Sequence, residues 1–337
     1  MKLLRRSADG GSPIEGADVL LLDLDGVVYR GRDPLPHAVD VLGAVRASGV
    51  TVGYITNNAS RRAEAVAEQL RGFGLEVEAD HVVTSPQAAV RMLADRLAPG
   101  ARILVIGGDG LTSVVEAAGF RVVASADDEP DAVVQGFAPE LGWKDLAEAA
   151  FALADPDRLW VATNTDWTIP VERGIAPGNG TLVSAVHAAV GRMPIVAGKP
   201  ETPLFDAAVE RFSAEHPFFV GDRLDTDIAG ANAAGMPSAL VLTGIDGPRE
   251  LLAAPERARP PFLLADLRGL VEPYPEVRPA AGGFRSRDAV VRIDGRRIEV
   301  VRSGEPVDVL RAAAQAVWSA EVSAWSLEVP DAVLAAR

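Results

Sequence analysis

Val19-Leu20-Leu21-Leu22-Asp23-Leu24-Asp25-Gly26-Val27-Val28-Tyr29 is an apolar run that stops at two carboxylates one residue apart. A continuous apolar run of this length reads as a strand buried on both faces, and the carboxyl ends of such strands are where open α/β sheets gather ligands. Asp23 and Asp25 stand two apart, so both side chains would point to one side of a continuing strand, and Gly26 lets the chain turn away beyond them. Two acidic groups in that place call for a cation. The plain alternative is a strand end followed by an Asx-type turn, and this segment by itself leaves both readings open.

Working outward, the pattern of an apolar strand ending in chemistry recurs. Val50-Thr51-Val52-Gly53-Tyr54-Ile55 empties into Thr56-Asn57-Asn58-Ala59-Ser60, a polar loop that either offers N–H groups and a hydroxyl to an anion or is a plain helix cap with Ser60 as the capping residue. Ser85-Pro86 opens another helix, with Ser at the N-cap. Pro194-Ile195-Val196-Ala197-Gly198-Lys199-Pro200 brings one lysine to a strand end; an exposed surface lysine is the ordinary alternative. Pro217-Phe218-Phe219-Val220-Gly221-Asp222-Arg223-Leu224-Asp225-Thr226-Asp227 repeats the opening pattern, an apolar run that meets a cluster of carboxylates.

Between these segments, 102–190 carries its own series of strands and helices, enough for a domain. Gly107-Gly108-Asp109-Gly110 fails as a dinucleotide loop because Ser113 occupies the place of the third glycine. The loop Asn164-Thr165-Asp166-Trp167-Thr168-Ile169-Pro170 either meets a substrate or buries Trp167 in a core. Past 243 the signal thins; 273–279 reads as a linker, and 288–337 reads as a separately folded tail with a hairpin turn at Asp294-Gly295, a helix over 307–320 and a strand over 323–329. No cluster of chemical groups stands in the tail, so packing onto the body or onto a partner is its default role.

Composition narrows the chemistry. The 337 residues suit two domains; 48% are apolar and 24% charged, the profile of a folded chain. No stretch approaches a membrane span, and the Met1–Arg6 segment runs into Ser-Ala-Asp-Gly-Gly without an apolar core, so a cytoplasmic protein is expected. With no cysteine and four histidines, thiolate chemistry is excluded and a metal must be held by oxygen or imidazole. A net charge of −14 disfavours nucleic acid and anionic membrane as partners; an anionic substrate would need local cations, a metal or helix N-termini.

In a parallel doubly wound sheet all strand C-termini point to one edge, so Asp23, Asp25, Thr56, Lys199, Asp222 and Asp227 would converge. Carboxylates gathered this closely require a hard divalent cation, and oxygen-only ligation favours Mg²⁺.

These residues carry a resemblance. Asp23-Leu24-Asp25-Gly26-Val27, Thr56-Asn57-Asn58, Gly198-Lys199-Pro200 and Gly221-Asp222 through Asp227, in that order, are similar to the motifs of the haloacid dehalogenase (HAD) superfamily, in the subgroup of NagD-like and phosphoglycolate-type phosphatases with a large α/β cap. The resemblance spans roughly 18–270. It implies an α/β fold: a doubly wound parallel-sheet, Rossmann-like HAD core (1–84 and 194–272), an inserted α/β cap (85–193) and a small C-terminal α+β extension (280–337).

For the site, the resemblance implies Asp23 as nucleophile, Asp25 as proton carrier, and Mg²⁺ held by Asp23, the Asp25 carbonyl and Asp222 with Asp227 behind them. Thr56, Asn57, Asn58 and Lys199 would hold the phosphoryl group. Asn164, Asp166, Trp167, Gly178, Asn179 and Gly180 in the cap are expected to face the leaving group. The expected activity is hydrolysis of a small-molecule phosphate ester. The Ala- and Arg-rich composition and the tail are similar to actinobacterial glycerol 3-phosphate phosphatases; phosphoglycolate, sugar phosphates, nucleoside monophosphates and a phosphotransferase reaction stay open, as does a homo-oligomeric state.

Overall fold

The computed structural model describes residues 10–336 except 172, 281 and 321, with position 170 described by its backbone alone. The first nine residues of the expected core segment therefore lie outside the described residues. The chain divides into two compact units: the residues up to Val52 together with those from Phe212 on, and Gly53–Arg211.

In the first unit, Val19–Leu22 pairs in parallel with Pro217–Gly221, Leu22 opposite Val220. Pro217–Gly221 pairs in parallel with Ser238–Val241, which pairs in parallel with Phe262–Leu264. Val19–Leu22 is buried throughout, as a strand without a polar face must be in a parallel sheet. The helix Ala38–Ala47 buries Ala38, Val41, Leu42 and Val45, the stripe its spacing predicts. Because the strands are parallel and in register, Asp23 and Asp222 both fall just beyond the same edge.

The tail is not a separate body. Arg278–Ala280, Gly283–Ser286, Ala289–Asp294 and Arg297–Arg302 form a four-stranded antiparallel meander, with Asp294 opposite Arg297 at the expected hairpin. Together with the helix Pro306–Ser319 it enters one hydrophobic cluster in which Val291, Ile298, Leu310 and Val333 join Leu224, Ile228, Leu240 and Leu263. The expectation of a separately folded tail is thus corrected: the apolar faces of the meander and its helix share one core with the parallel sheet. The strand expected over 323–329 is instead the short 3-10 turn Ala324–Ser326 and a single bridge from Glu328 to Arg297.

In the second unit, Thr51–Thr56, inside which the division falls, pairs in parallel with Val82–Thr84, Thr56 opposite Thr84. Five further parallel strands run in the order Ile195–Val196, Leu159–Ala162, Ala132–Gln135, Arg102–Ile106, Arg121–Val123. Leu104, Ile106, Val133 and Trp160 pack with Ala149 of the helix Trp143–Ala152 and Val183 and Val186 of the helix Asn179–Val190. This unit contains the expected cap, 85–193, and is wider at both ends. Part of the expected 164–170 loop is a strand: Thr168–Val171 pairs antiparallel with Gly174–Pro177.

Two caps differ from expectation. The helix Ser85–Ala94 is capped by Thr84, whose N–H donates to Gln87 Oε1 at 3.0 Å, so Ser85 is already helical and its hydroxyl is directed elsewhere. Ser60 does not cap the helix Ala63–Gly72; its N–H and O–H both donate to Asn58 Oδ1, at 2.9 and 2.8 Å.

Candidate active site

The carboxylate cluster lies within the first unit. Asp23 continues the strand Val19–Leu22, its N–H donating to the Val220 carbonyl at 2.9 Å. Beyond Asp25 the chain folds back: Gly26 N–H donates to the Tyr29 carbonyl at 2.8 Å, and Gly26 adopts φ 80°, a left-handed value suited to glycine. Asp23, Asp222 and Asp227 each offer a carboxylate oxygen, all within 4.8 Å of one another. Asp25 is exposed and its carboxylate is not one of the three.

Steric limits place Asp222, which is 2% exposed. A Cβ on Gly26 would lie 2.4 Å from Asp222 Oδ2 and a Cβ on Gly244 2.0 Å from it, so the carboxylate occupies space that only two glycines leave. The Ile245 N–H donates to Asp222 Oδ2 at 2.8 Å. Asp227 is 1% exposed and accepts from the N–H groups of Asp222 and Arg223 through Oδ2, both at 3.1 Å, bracing the loop that carries Asp222. A Cβ on Gly221 would come within 2.3 Å of Asp227 Cβ, which explains the glycine before the first aspartate. The segment Leu224–Ile228 is a π-turn, closed by Ile228 N–H on the Arg223 carbonyl at 3.0 Å, and it swings Asp227 back beneath Asp222. Asp225, the remaining carboxylate of the run, pairs with Arg223 at 2.9 Å.

The loop after Ser238–Val241 escaped the reading of the sequence. Thr243 Oγ1 donates to the Gly26 carbonyl at 2.6 Å, and Asp246 Oδ2 accepts from Leu224 N–H at 2.6 Å. Burial pushes the Asp246 carboxyl above its ordinary range, partly countered by the Leu224 bond. The available signal was Gly244-Ile245-Asp246-Gly247 at the end of a buried strand.

Two carboxylates at 4.8 Å repel by about 3 kcal/mol at an effective dielectric of ~20, and the cluster contains three. An oxygen-only, carboxylate-rich set of this kind fits a small hard divalent cation such as Mg²⁺. With the ion bound, Asp23 and Asp222 would hold it together with the Asp25 carbonyl, and Asp227 would hold Asp222.

A second group of polar residues lies within the Gly53–Arg211 unit. Thr56, 7% exposed at the end of its strand, accepts from Asn58 N–H at 3.1 Å, which leaves the hydroxyl proton for another acceptor. Lys199 is 3% exposed rather than a surface lysine, and its peptide bond to Pro200 is cis. A Cβ on Gly198 would lie 2.5 Å from the Thr163 carbonyl and 2.6 Å from Asn57 Oδ1, so a glycine must precede the lysine.

Asn57 stands at the centre of this group. Its Oδ1 accepts from Lys199 N–H at 2.8 Å, and its Nδ2 donates to the Lys199 carbonyl at 3.0 Å and to the two Asp166 carboxylate oxygens at 3.2 and 3.3 Å. Its own carbonyl accepts from Ser85 Oγ at 2.7 Å and Asn164 Nδ2 at 2.8 Å. The side-chain oxygen of Asn58 is engaged with Ser60 and its backbone N–H with Thr56, so what Asn58 can offer a ligand is its side-chain Nδ2.

Of the cap residues, Asn164 is buried and accepts from Asp166 N–H at 3.1 Å. Asn179 is 1% exposed and donates to the Asn164 carbonyl at 2.7 Å. Gly178 and Gly180 donate to the carbonyls of Trp167 and Asp166 at 2.8 and 2.9 Å, and a Cβ on either would come within 2.3 Å of a carbonyl oxygen of the loop. The Gly178-Asn179-Gly180 run therefore buttresses the 164–167 loop. Trp167 is 66% exposed, which removes the core-packing reading and leaves it presented to solvent.

Residues 20–121 match the model of a haloacid dehalogenase-like hydrolase, and 196–270 match a HAD-hydrolase-like model. The chain is 44% identical over 314 residues to a D-glycerol 3-phosphate phosphatase of Mycobacterium tuberculosis, covering 91% of this chain and 87% of that one. It is 38% identical over 254 residues to a glycerol-3-phosphate phosphatase of Gallus gallus, covering 69% and 81%. The crystal structure of a Mycobacterium tuberculosis glycerol phosphate phosphatase in complex with magnesium superposes with a TM-score of 0.85 at 42% identity, covering 95% of this chain and 94% of that one.

Proposed function

The chain belongs to the haloacid dehalogenase-like hydrolases, and from that premise we propose that it is a Mg²⁺-dependent phosphomonoesterase whose substrate is glycerol 3-phosphate. The observation that supports this most is the trio Asp23, Asp222 and Asp227, two of them buried, in a cluster whose charge calls for a divalent cation. The substrate is taken from the two relatives named for that ester.

In this reading an Asp23 oxygen attacks phosphorus, forming the aspartyl-phosphate bond as the ester P–O bond breaks. Asp25, exposed and two residues beyond, gives its proton to the departing alkoxide and then takes one from the water that attacks phosphorus and releases Asp23. The Thr56 hydroxyl proton, the Asn57 N–H and the Lys199 ammonium hold the phosphoryl oxygens. Bound Mg²⁺ supplies Lewis-acid stabilisation of charge on those oxygens. Asn164, Asp166 and Trp167, buttressed by Gly178, Asn179 and Gly180, select the leaving group from a cap spanning 85–193. None of the helices among the described residues is long and apolar enough to cross a membrane. A cytoplasmic location and a homo-oligomeric form complete the reading.

The test is a panel of phosphate esters (glycerol 3-phosphate, phosphoglycolate, sugar phosphates, nucleoside monophosphates) assayed with and without Mg²⁺, with Asp23→Asn as the blank. Glycerol 3-phosphate is expected to show the highest kcat/KM. Hydrolysis that survives chelation or the Asp23→Asn change would overturn the mechanism, and a better ester would overturn the substrate. Transfer to added alcohols in preference to water would convert the reading to a phosphotransferase.

A further inference from the structure

We propose that Asn57 is a positioning residue whose side chain fixes the backbone of Lys199 instead of touching the phosphoryl group, and that Asn164 and Asp166 of the cap loop hold Asn57 in turn. The proposal rests on the phosphate-binding role of Lys199 in the function just described, and goes beyond it in separating the residue that binds from the residues that aim it.

A carboxamide has two N–H donors and one carbonyl oxygen. At Asn57 the oxygen is taken by Lys199 N–H at 2.8 Å, and the nitrogen by the Lys199 carbonyl at 3.0 Å and the Asp166 carboxylate at 3.2 and 3.3 Å. The donors are therefore committed, and a phosphoryl oxygen would have to displace a carboxylate or a peptide carbonyl to gain one. The carboxamide oxygen would repel a phosphate outright.

The two bonds to Lys199 reproduce with a side chain what a neighbouring strand would provide, one N–H and one C=O of the same residue engaged together. Lys199 needs such a substitute. The strand ahead of it is only two residues long, Ile195–Val196, and Lys199 is flanked by Gly198, which has no side chain to anchor it, and Pro200, which has no N–H. The clamp is itself clamped: Ser85 Oγ and Asn164 Nδ2 donate to the Asn57 carbonyl at 2.7 and 2.8 Å, Asn164 Oδ1 accepts Asp166 N–H at 3.1 Å, and Asn179 donates to the Asn164 carbonyl at 2.7 Å. A chain of amide groups thus runs from the first turn of the helix Asn179–Val190 to the backbone of the lysine. Asn57 N–H makes no hydrogen bond among the described residues, so its backbone can serve the phosphate while its side chain serves Lys199.

A double-mutant cycle of Asn57→Ala with Lys199→Met, read as kcat/KM on several esters and as inhibition by inorganic phosphate, tests this. Asn57→Ala is expected to lower kcat/KM roughly 10- to 100-fold. The factor should be the same for every ester, and phosphate inhibition should weaken in step. In the Lys199→Met background the same change should have little further effect, because there is no ammonium left to aim. Multiplicative losses would show that Asn57 acts on the phosphate independently of Lys199 and would overturn the proposal, as would an Asn57→Ala enzyme with unaltered kinetics. Losses that differ from ester to ester would assign the group to leaving-group recognition instead. A Lys199→Met enzyme as active as the parent would remove the phosphate-binding role itself, a distinct failure. If Asn57→Ala does not fold, as judged by its melting transition, Asn164→Ala enters the same cycle with the same expected outcomes.

Discussion

Asp222 and Asn57 both follow the ends of buried strands, yet they are held in opposite ways. Asp222 is confined by shape: the two glycines Gly26 and Gly244 leave a slot for its carboxylate, and one backbone N–H closes it. Asn57 is held by bonds drawn from three separate parts of the chain, at Ser85, at Asn164 and Asp166 of one loop, and at Lys199. A slot made by missing side chains tolerates almost no substitution, because any Cβ collides with the group it was meant to admit. A network of hydrogen bonds degrades in steps, each bond worth about 1 kcal/mol net. The first arrangement suits a carboxylate that must meet a metal ion at fixed distance; the second suits a lysine whose long side chain absorbs small shifts of its backbone.

The comparison can be broken most decisively at Asp23, the proposed nucleophile. Asp23→Asn, which keeps size and hydrogen bonding, is expected to reduce kcat on glycerol 3-phosphate by at least about 10⁴-fold while leaving the melting temperature near that of the parent. A smaller loss would return the cluster to a purely structural role. Next comes the buried pair in the extension, polar groups held by charge. Asp308, 1% exposed, bonds to Arg311 Nη1 at 2.8 Å and to Ser286 Oγ at 2.9 Å. Asp308→Ala would leave the Arg311 guanidinium buried without its counter-ion, and about 3–5 kcal/mol of stability should be lost in denaturant titration. Gly244→Ala tests the slot directly. Calorimetric titration of the protein with Mg²⁺ should show affinity weakened by roughly 10- to 100-fold, without reference to turnover. An unchanged isotherm would mean that Asp222 is not placed by sterics.

The smallest effect is expected at a partly exposed pair. Asp266 caps a 3-10 turn, accepting from Arg268 N–H at 2.9 Å, and the Arg268 side chain beside it holds its carboxyl below the ordinary range. Because the folded value is depressed, the stabilisation is complete above the unfolded carboxylate range and is lost as pH falls through the folded value. Asp266→Ala should cost about 1 kcal/mol or less at neutral pH, since Arg268 is largely exposed, and parent and variant should converge in acid.

What could be read in the sequence follows the same division. The strands were legible because β-branched and apolar runs end abruptly at polar groups, and the carboxylates were legible because glycines flank them within a few residues. The loop Gly244–Asp246 was not, since a glycine there has meaning only when Asp222, more than twenty residues earlier, is known to lie against it. The amide chain was hidden for the same reason: Asn57 bonds to residues over a hundred positions away, and nothing local distinguishes it from Asn58, whose side chain merely closes a turn. Ser85 looked like a helix cap because Ser-Pro commonly is one; its neighbour Thr84 takes that place and frees the hydroxyl for Asn57. The tail misled because an amphipathic meander and helix look alike whether their apolar face meets its own partner or an older sheet.

The way the first unit is assembled from both flanks of the chain bears on how a ribosome can make it. Val19–Leu22 emerges early, but its strand partner Pro217–Gly221 and the helix Pro306–Ser319 that completes the shared cluster come only after all of Gly53–Arg211 has been made. At ~5–20 residues per second the wait is on the order of tens of seconds. During that time Val19–Leu22 lacks that partner and the cluster that completes its unit, while Gly53–Arg211 has its full sequence and is free to fold. Biogenesis thus runs opposite to the reading order of the chain: the part translated first is finished last.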